Sequence, residues 1–208
     1  GRVLARTGAP NDRLQVLPTR AGETRTLPPG PVVGYGGAHW LPDSQRVLFL
    51  GLDGKGEARL YLQAIDGGLP RPLGSDIPSD ALDEFASFAV SPDGAFVAAA
   101  NRSGAWTLHS VEGSQPSRRV PGVYPQQNLI RWSGDGRFLY SYKIGDLPGK
   151  IYRVEIQTGE TQVWRELSLA DPAGIWRIHP VRITPDGRSY AFSYARRLSD
   201  LYVFEGLH

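Results

Sequence analysis

The chain of 208 residues contains no cysteine and no methionine. The absence of cysteine excludes a disulfide framework and any thiolate nucleophile or metal ligand. No apolar run approaches the ~18 residues that a membrane-spanning helix needs, so we expect no direct membrane insertion. Because no initiating methionine is present, we expect the chain to be a processed product or a piece of a longer protein.

An excess of charge of one sign is also lacking. Lysine and arginine total 23 against 21 aspartates and glutamates, and the basic pairs Arg118-Arg119 and Arg196-Arg197 stand alone. A nucleic-acid interface needs a continuous basic stripe interleaved with stacking aromatics. We therefore predict no nucleic-acid partner. With 40% hydrophobic and 21% charged residues, the composition is typical of a globular domain.

Turn-forming residues are abundant, with 25 glycines and 17 prolines. Four segments repeat one pattern, in which apolar residues precede a short aspartate turn and alternating apolar residues follow it. The turn aspartates are 50, 42 and 51 residues apart, and they are Asp43, Asp93, Asp135 and Asp186. An Asp beside a Gly is typical of a tight turn between two strands, because the carboxylate bonds nearby backbone and Gly tolerates positive φ. We expect all four turns on one face.

A second pattern follows each turn by about 20 residues, as in LYLQAIDGG from Leu60, and an earlier copy begins at Leu14. Most copies are followed by one more short strand, such as RPL from Arg71. The unit is therefore four strands in 45 to 50 residues, without helical periodicity, which is typical of a β-propeller blade. We predict an all-β, single-domain propeller over residues 1–208, with three whole blades and two partial ones.

The incomplete blades favour an arc of a larger ring over a closed ring. The edges of such an arc expose unpaired backbone, so self-association through the open blade edges is a possible consequence.

The repeats resemble the WD40-like repeat of TolB-type β-propellers over nearly the whole chain, because the S/T-P-D-G turns recur in phase. The ending SYARRLSDLYVFEGL, at 193–207, together with AHWLPD, at 38–43, resembles the carboxy-terminal propeller of large bacterial eukaryotic-like serine/threonine protein kinases. No kinase motif occurs in these residues: they contain no G-x-G-x-x-G, H-R-D or D-F-G. The resemblance implies a kinase domain upstream and an extracytoplasmic position for this module.

Gly187-Arg188-Ser189-Tyr190-Ala191 approaches the G-x-S-x-G nucleophile elbow of serine hydrolases. That elbow needs a strand-to-helix turn, whereas a strand is predicted to follow Ser189. Its register matches Phe96 and Phe138, which supports a strand serine. We predict no catalytic residue in this chain.

Metal and cofactor sites are not favoured either. The four histidines include no H-E-x-x-H motif or close pair, which argues against zinc. Four carboxylates lie between 74 and 84, namely Asp76, Asp80, Asp83 and Glu84. Calcium prefers oxygen ligands, but the spacing is not that of an EF-hand, so a solvated acidic loop is the preferred interpretation. We predict no metal and no cofactor.

A binding surface is predicted on the side opposite the aspartate turns, where longer and more varied loops join one blade to the next. The longest runs from 167 to 180. The candidate residues combine aromatic rings with polar and basic groups: Tyr35, His39, Tyr124, Gln126, Gln127, Trp176, Arg177 and His179. Aromatic residues and arginine often anchor interfaces. The alternative is that these side chains only cover the end of the ring.

The predicted function is therefore a non-catalytic module that binds a protein, peptide or small ligand, in the manner of a sensor domain of a bacterial kinase. Two alternatives stay open: the propeller of a prolyl-oligopeptidase-like hydrolase, and a TolB-like periplasmic scaffold.

Overall fold

A computed structural model describes residues 1–7, 12–77, 88–100, 103–123 and 127–199. Over these ranges the regular secondary structure is entirely β-strand, arranged in five antiparallel sheets. Sheet 1 contains β1 (Arg2–Thr7), β2 (Arg13–Pro18) and β3 (Arg25–Thr26). Sheet 2 contains β4 (Val32–Trp40), β5 (Arg46–Asp53), β6 (Ala58–Ala64) and β7 (Arg71–Ile77). Sheet 3 contains β8 (Phe88–Val90), β9 (Phe96–Ala100), β10 (Trp106–Ser110) and β11 (Arg118–Arg119). Sheet 4 contains β12 (Gln127–Trp132), β13 (Phe138–Lys143), β14 (Gly149–Glu155) and β15 (Thr161–Leu167), and sheet 5 contains β16 (Ile175–Ile183) and β17 (Tyr190–Arg196).

The strand order confirms the predicted repeat. Sheets 2, 3 and 4 each have four strands that pair in sequence order, while sheets 1 and 5 have three and two strands within the described ranges. Strand β1 was not expected, and it pairs with β2 along its whole length, from Arg2 opposite Pro18 to Thr7 opposite Arg13. The third strand predicted from Leu201 lies outside the described residues. In the described part of the chain, no helix is long and apolar enough to cross a membrane.

The aspartate turns share one geometry. In sheet 4, Asp135 Oδ1 accepts the backbone N–H of Arg137 at 3.1 Å, and Gly136 between them has a φ of 71°. The other three turns use the same bond, from Gln45 to Asp43 at 2.8 Å, from Ala95 to Asp93 at 3.0 Å and from Arg188 to Asp186 at 3.0 Å. The first turn has Ser44 in place of glycine, with a φ of 57°. The carboxylate therefore closes each turn, as the sequence predicted.

Neighbouring turns lie side by side. A Cβ placed on Gly94 would lie 3.2 Å from Pro42 Cδ, and one placed on Gly134 would lie 3.3 Å from the Pro185 carbonyl oxygen. Turns of successive sheets therefore occupy one face, which we call the turn side. The opposite face carries the connections from one sheet to the next, and we call it the loop side.

The first strands of sheets 3, 4 and 5 lie next to one another. Strand β8 contacts β12, and β12 contacts β16. Two hydrogen bonds join these strands: Trp132 Nε1 donates to the Ala89 carbonyl at 2.9 Å, and Arg131 Nη1 donates to the Ile183 carbonyl at 2.9 Å. The sheets are thus arranged as the blades of a propeller arc.

The hydrophobic core is divided into four clusters, one at each junction between neighbouring sheets. Between sheets 2 and 3, for example, Leu48, Leu60 and Val97 are completely buried. The middle sheets are therefore buried on both faces. The second strands of sheets 2 and 3 are accordingly continuous apolar runs, and not the alternating pattern that was expected after the turns.

Candidate binding site on the loop side

Several predicted site residues lie on strands rather than in loops. Trp176, Arg177 and His179 belong to β16, so the connection between β15 and β16 is shorter than predicted. Similarly, the candidate residues Tyr35 and His39 belong to β4. Both strands contain irregularities in their pairing, and these interrupt the two-residue alternation by which a strand is recognised in a sequence.

The structure does not bring all predicted residues together. Tyr35 is only 3% exposed, and its ring lies 5.3 Å from that of Phe49 in the core between sheets 1 and 2. Gln127 is buried at the start of β12, where its Oε1 accepts the Ser141 hydroxyl at 3.4 Å. Tyr35 and Gln127 are therefore buried in the interior and do not form part of an exposed surface. Tyr124 and Gln126 lie outside the described residues.

His39 lies away from the loop side, because it comes four residues before Asp43 at the turn end of β4. The residue as a whole is exposed, but its ring packs edge-on against the ring of Phe88 at 4.7 Å. Desolvation among the neighbouring strands, together with the positive charge of Arg182, lowers the pKa of His39. The imidazole is consequently neutral at pH 7 and lies beside the first strand of sheet 3 rather than in the predicted site.

A buried tyrosine that the sequence did not single out supports His179. Tyr142 of β13 is hydrogen-bonded through its Oη to His179 Nδ1, and the two rings are stacked with centroids 6.1 Å apart. Burial raises the pKa of Tyr142 to about 12, so the phenol keeps its proton. The phenol oxygen also accepts the Val181 N–H, so Tyr142 links β13 to two residues of β16.

Trp176 is exposed over 51% of its surface, which is unusual for so large an apolar side chain. Two guanidinium groups lie near its ring, with the central carbon of Arg177 at 5.9 Å and that of Arg197 at 5.8 Å from the ring centroid. Contacts of this kind between a cation and an aromatic face are weakly attractive. The indole is therefore a flat, exposed surface with two positive charges close to its ring.

An apolar cavity of about 310 Å³ opens between two loop-side connections of sheets 4 and 5. Its lining is apolar except for one serine and consists of Leu147, Pro148, Leu167, Ser168, Leu169, Pro172, Ile175 and Ile178. Leu147 at the rim is 48% exposed. A cavity of this size is at the lower end of the range for small-ligand pockets and would accept one apolar side chain.

The connection that forms one wall of the cavity is fixed by Asp171. Its Oδ2 accepts Arg196 Nη1 at 2.9 Å, and its Oδ1 accepts the Ala173 N–H at 3.0 Å. The bond from Ala173, and after it the bond from Arg196, lowers the pKa of Asp171 below its usual value. A short backbone bond from Arg197 to Gly174, at 2.8 Å, closes the same segment onto β17. The cavity is thus built before any ligand arrives.

Of the acidic segment at 74–84, residues 78–84 lie outside the described residues. Over the described ranges, no group of three or more histidines, aspartates or glutamates is arranged to hold a metal ion.

The arrangement of sheets is similar to that of known β-propellers. TolB from Acinetobacter baumannii matches with a TM-score of 0.66 and 16% identity, over 96% of this chain and 48% of that one. A TolB-type protein from Agrobacterium tumefaciens matches with a TM-score of 0.62 and 18% identity, over 88% of this chain and 63% of that one. A dipeptidyl aminopeptidase IV-type protein from Bacteroides ovatus matches with a TM-score of 0.58 and 10% identity, over 88% and 29%.

No family model matches the sequence, and no curated protein matches it. The chain spans about half the length of the Acinetobacter TolB structure, at 48%. The likeness at these identities concerns the fold, and this chain has the fold of a TolB-type β-propeller.

Proposed function

We propose that this chain is a non-catalytic propeller module that binds a protein, peptide or small ligand on its loop side. The observation that carries the proposal is the apolar cavity, because two of its lining residues, Ile175 and Ile178, belong to the strand β16 that also carries the exposed Trp176 and His179. The cavity takes up an apolar group, while the indole, the arginine and the imidazole of the same strand offer stacking and hydrogen bonding to the rest of a ligand. Aromatic and arginine anchors of this kind dominate the energetics of interfaces.

The absence of catalysis is supported by the surroundings of Ser189. Its N–H donates to Thr184 Oγ1 at 3.0 Å, and its carbonyl accepts the Thr184 N–H at 2.9 Å. The strand β17 begins at the next residue, and no helix follows within the described ranges. Ser189 therefore closes an aspartate turn, as Phe96 and Phe138 do in sheets 3 and 4. A fluorophosphonate probe should not label it.

The binding proposal is tested with N-acetyl-leucine N-methylamide, which offers one branched apolar side chain. Titration followed by amide NMR should shift resonances at Leu147 and Ile175 in a saturable way. In the double variant Trp176→Ala, Arg177→Ala the affinity should fall by about tenfold, or about 1.4 kcal/mol, with little change in melting temperature. Arg188→Ala on the turn side is the matched control. Shifts that map to the turn side would contradict the proposal.

We further propose that the module is the sensor or interaction domain of a bacterial serine/threonine kinase and lies outside the cytoplasm. Its support is the resemblance carried by the four turns and by the stretch at 193–207. The gene sequence around these residues tests the proposal directly. A kinase catalytic loop upstream supports it. A different domain upstream, or a signal peptide without a kinase domain, contradicts the assignment to a kinase.

A hydrolase-associated propeller is the second candidate. The match to the dipeptidyl aminopeptidase IV-type protein, of which this chain covers 29%, is the observation that favours it. A hydrolase domain in the same gene would support this candidate over the kinase sensor. A signal peptide without either domain would favour a TolB-like scaffold.

A further inference from the structure

One hydrogen bond recurs between neighbouring sheets, and the third junction lacks it. Arg25 Nη1 of sheet 1 donates to the Ile65 carbonyl of sheet 2 at 2.9 Å, and Arg71 Nη2 of sheet 2 donates to the Val111 carbonyl of sheet 3 at 2.8 Å. Arg118 is the equivalent residue of sheet 3, since it pairs with Leu108 as Arg71 pairs with Leu62. In the described part of the chain, Arg118 makes no hydrogen bond and no ion pair.

A second link shows the same contrast. At the junction of sheets 2 and 3, the guanidinium of Arg46 joins two carboxylates, Asp43 Oδ2 at 2.6 Å from Nε and Glu112 Oε1 at 2.5 Å from Nη1. At the junction of sheets 3 and 4, the residue equivalent to Arg46 is Phe96, and that equivalent to Glu112 is Gln157. No ion pair can therefore form at those two positions.

Where both links are missing, a cleft of about 640 Å³ opens on the turn side between sheets 3 and 4. We call it the 3/4 cleft. Phe96, Leu108 and Arg118 line it from sheet 3, and Trp132 and Gln157 line it from sheet 4. The apolar part of the lining comes from residues that also form the core between these sheets. The 3/4 cleft therefore lies where the junction of sheets 2 and 3 has its Arg46–Glu112 ion pair and its Arg71 hydrogen bond.

Asp93 in this cleft has no cationic partner in the part of the chain that the structure describes, whereas its equivalent Asp43 pairs with Arg46. Its Oδ1 accepts the Ser91 hydroxyl at 2.5 Å and the Ala95 N–H at 3.0 Å, whereas Oδ2 has no partner among the described residues. The pKa of Asp93 is lowered first by the Ser91 hydroxyl and then by the backbone, and no cationic side chain contributes. For Asp43, by contrast, Arg46 contributes both a hydrogen bond and its charge.

We propose that the 3/4 cleft binds an arginine residue of a peptide, whose guanidinium takes the place that Arg46 occupies one junction earlier. The guanidinium pairs with Asp93 and lies against the ring of Phe96. A carboxylate or carbonyl oxygen of the same ligand residue accepts from Arg118, as the Val111 carbonyl accepts from Arg71. The ligand thus supplies both links that the chain itself makes between sheets 2 and 3.

Arginine fits this arrangement better than lysine, because a planar guanidinium donates in a fixed fork and also stacks on an aromatic ring. Among the other charges of the cleft, Arg137 and Glu155 pair with each other, whereas Asp135 is a second carboxylate that has no ion pair among the described residues. Arg137 Nη2 is bonded to Glu155 at 2.6 Å, and Asp135 Oδ1 accepts the Ser133 hydroxyl at 2.5 Å. The site lies on the opposite side from the proposed loop-side site, so either proposal can fail without the other.

The test uses N-acetyl-arginine as the probe and the whole chain as the protein. Titration followed by NMR should shift the backbone amides of Ala95 and Phe96 and the indole N–H of Trp132 with one saturable constant. N-acetylcitrulline has nearly the same shape without the charge, and it should bind at least about tenfold more weakly. Equal shifts with citrulline, or no saturable shift with arginine, would overturn the proposal.

The decisive variant copies the neighbouring junction into the cleft. Phe96→Arg combined with Gln157→Glu places the Arg46–Glu112 pair between sheets 3 and 4, where it fills the site from within. N-acetyl-arginine binding should be lost by at least about tenfold, while the melting temperature is unchanged or higher. Asp93→Asn should also weaken binding, and Asp186→Asn, at the equivalent turn of sheet 5, should not. Unchanged affinity in the Phe96→Arg, Gln157→Glu variant would contradict the assignment.

Discussion

Strands β9 of sheet 3 and β17 of sheet 5 occupy the same place in their repeats, yet their surroundings differ. In β9, Val97 and Ala98 are completely buried, whereas in β17 the equivalent Tyr190 is 39% exposed and Ala191 is also exposed. Sheet 3 packs against sheets on both faces, and sheet 5 packs against sheet 4 on one face within the described ranges. Burial in this fold therefore depends on the position of a sheet in the arc more than on the repeat pattern.

The largest expected effect comes from placing a charge at matched positions of the two strands. Ala98→Asp puts a carboxylate into the core between sheets 3 and 4, and it should lower the free energy of unfolding by about 4 kcal/mol or more. Ala191→Asp should change it by less than about 0.5 kcal/mol, because the new side chain is solvated. Its cross-strand neighbour is Arg182, which is compatible with a carboxylate.

Urea unfolding followed by tryptophan fluorescence measures both values. The comparison would fail if the two variants were destabilised equally. Equal destabilisation would mean that the outer face of sheet 5 is covered in solution.

An intermediate loss of stability is expected where the first strands of neighbouring sheets meet. Trp132→Phe removes the indole N–H that donates to the Ala89 carbonyl, and it leaves a buried carbonyl without this partner. The free energy of unfolding should fall by about 1–3 kcal/mol. Trp40→Phe, at the equivalent position of sheet 2, is the control, since Trp40 is only half-buried. If Trp40→Phe lowered the stability in thermal unfolding more than Trp132→Phe, the result would contradict the deeper burial of Trp132.

The smallest effect concerns the turns, which are common to buried and exposed sheets. The Ser133 hydroxyl and the Arg137 N–H lower the pKa of Asp135, and the Thr184 hydroxyl and the Arg188 N–H do the same for Asp186. The folded-state pKa lies below the unfolded value of 3.8. The stabilisation is therefore present above pH 3.8 and is lost as the pH falls toward the folded-state value.

Melting temperatures between pH 2.5 and 6 check this dependence. Asp135→Asn and Asp186→Asn should each flatten it by a similar amount, because the two turns have the same bonds. A dependence that only one of the two variants alters would show that the turns are not equivalent.

The repeat made most of the fold predictable. Four turns in one phase determine which strands pair, because each aspartate closes the hairpin between a first and a second strand. Strand β1 could not be read in the same way, since no aspartate turn precedes Leu14. The strands β4 and β16 were interpreted partly as loops, because irregular pairing within them breaks the alternation of side chains.

The candidate sites were harder to predict from the sequence, because they depend on contacts between different sheets. Tyr142 is an ordinary strand residue in sequence, and only the packing of sheet 5 on sheet 4 places it beside His179. The 3/4 cleft depends on two substitutions relative to another repeat, at Phe96 and Gln157. Such a site becomes visible when the partners of Arg46 and Arg71 are known and the equivalent positions are compared.

The central claim is that four equivalent turns lie on one side of an arc of sheets. The chain has no native cysteine, so single spin labels can be placed at the turn residues Gln45, Ala95, Arg137 and Arg188 by cysteine substitution. Double electron–electron resonance should give similar, short distances for the three neighbouring pairs, and the longest distance for 45 with 188. A 45–188 distance as short as those of the neighbouring pairs, or unequal distances among neighbours, would contradict the account.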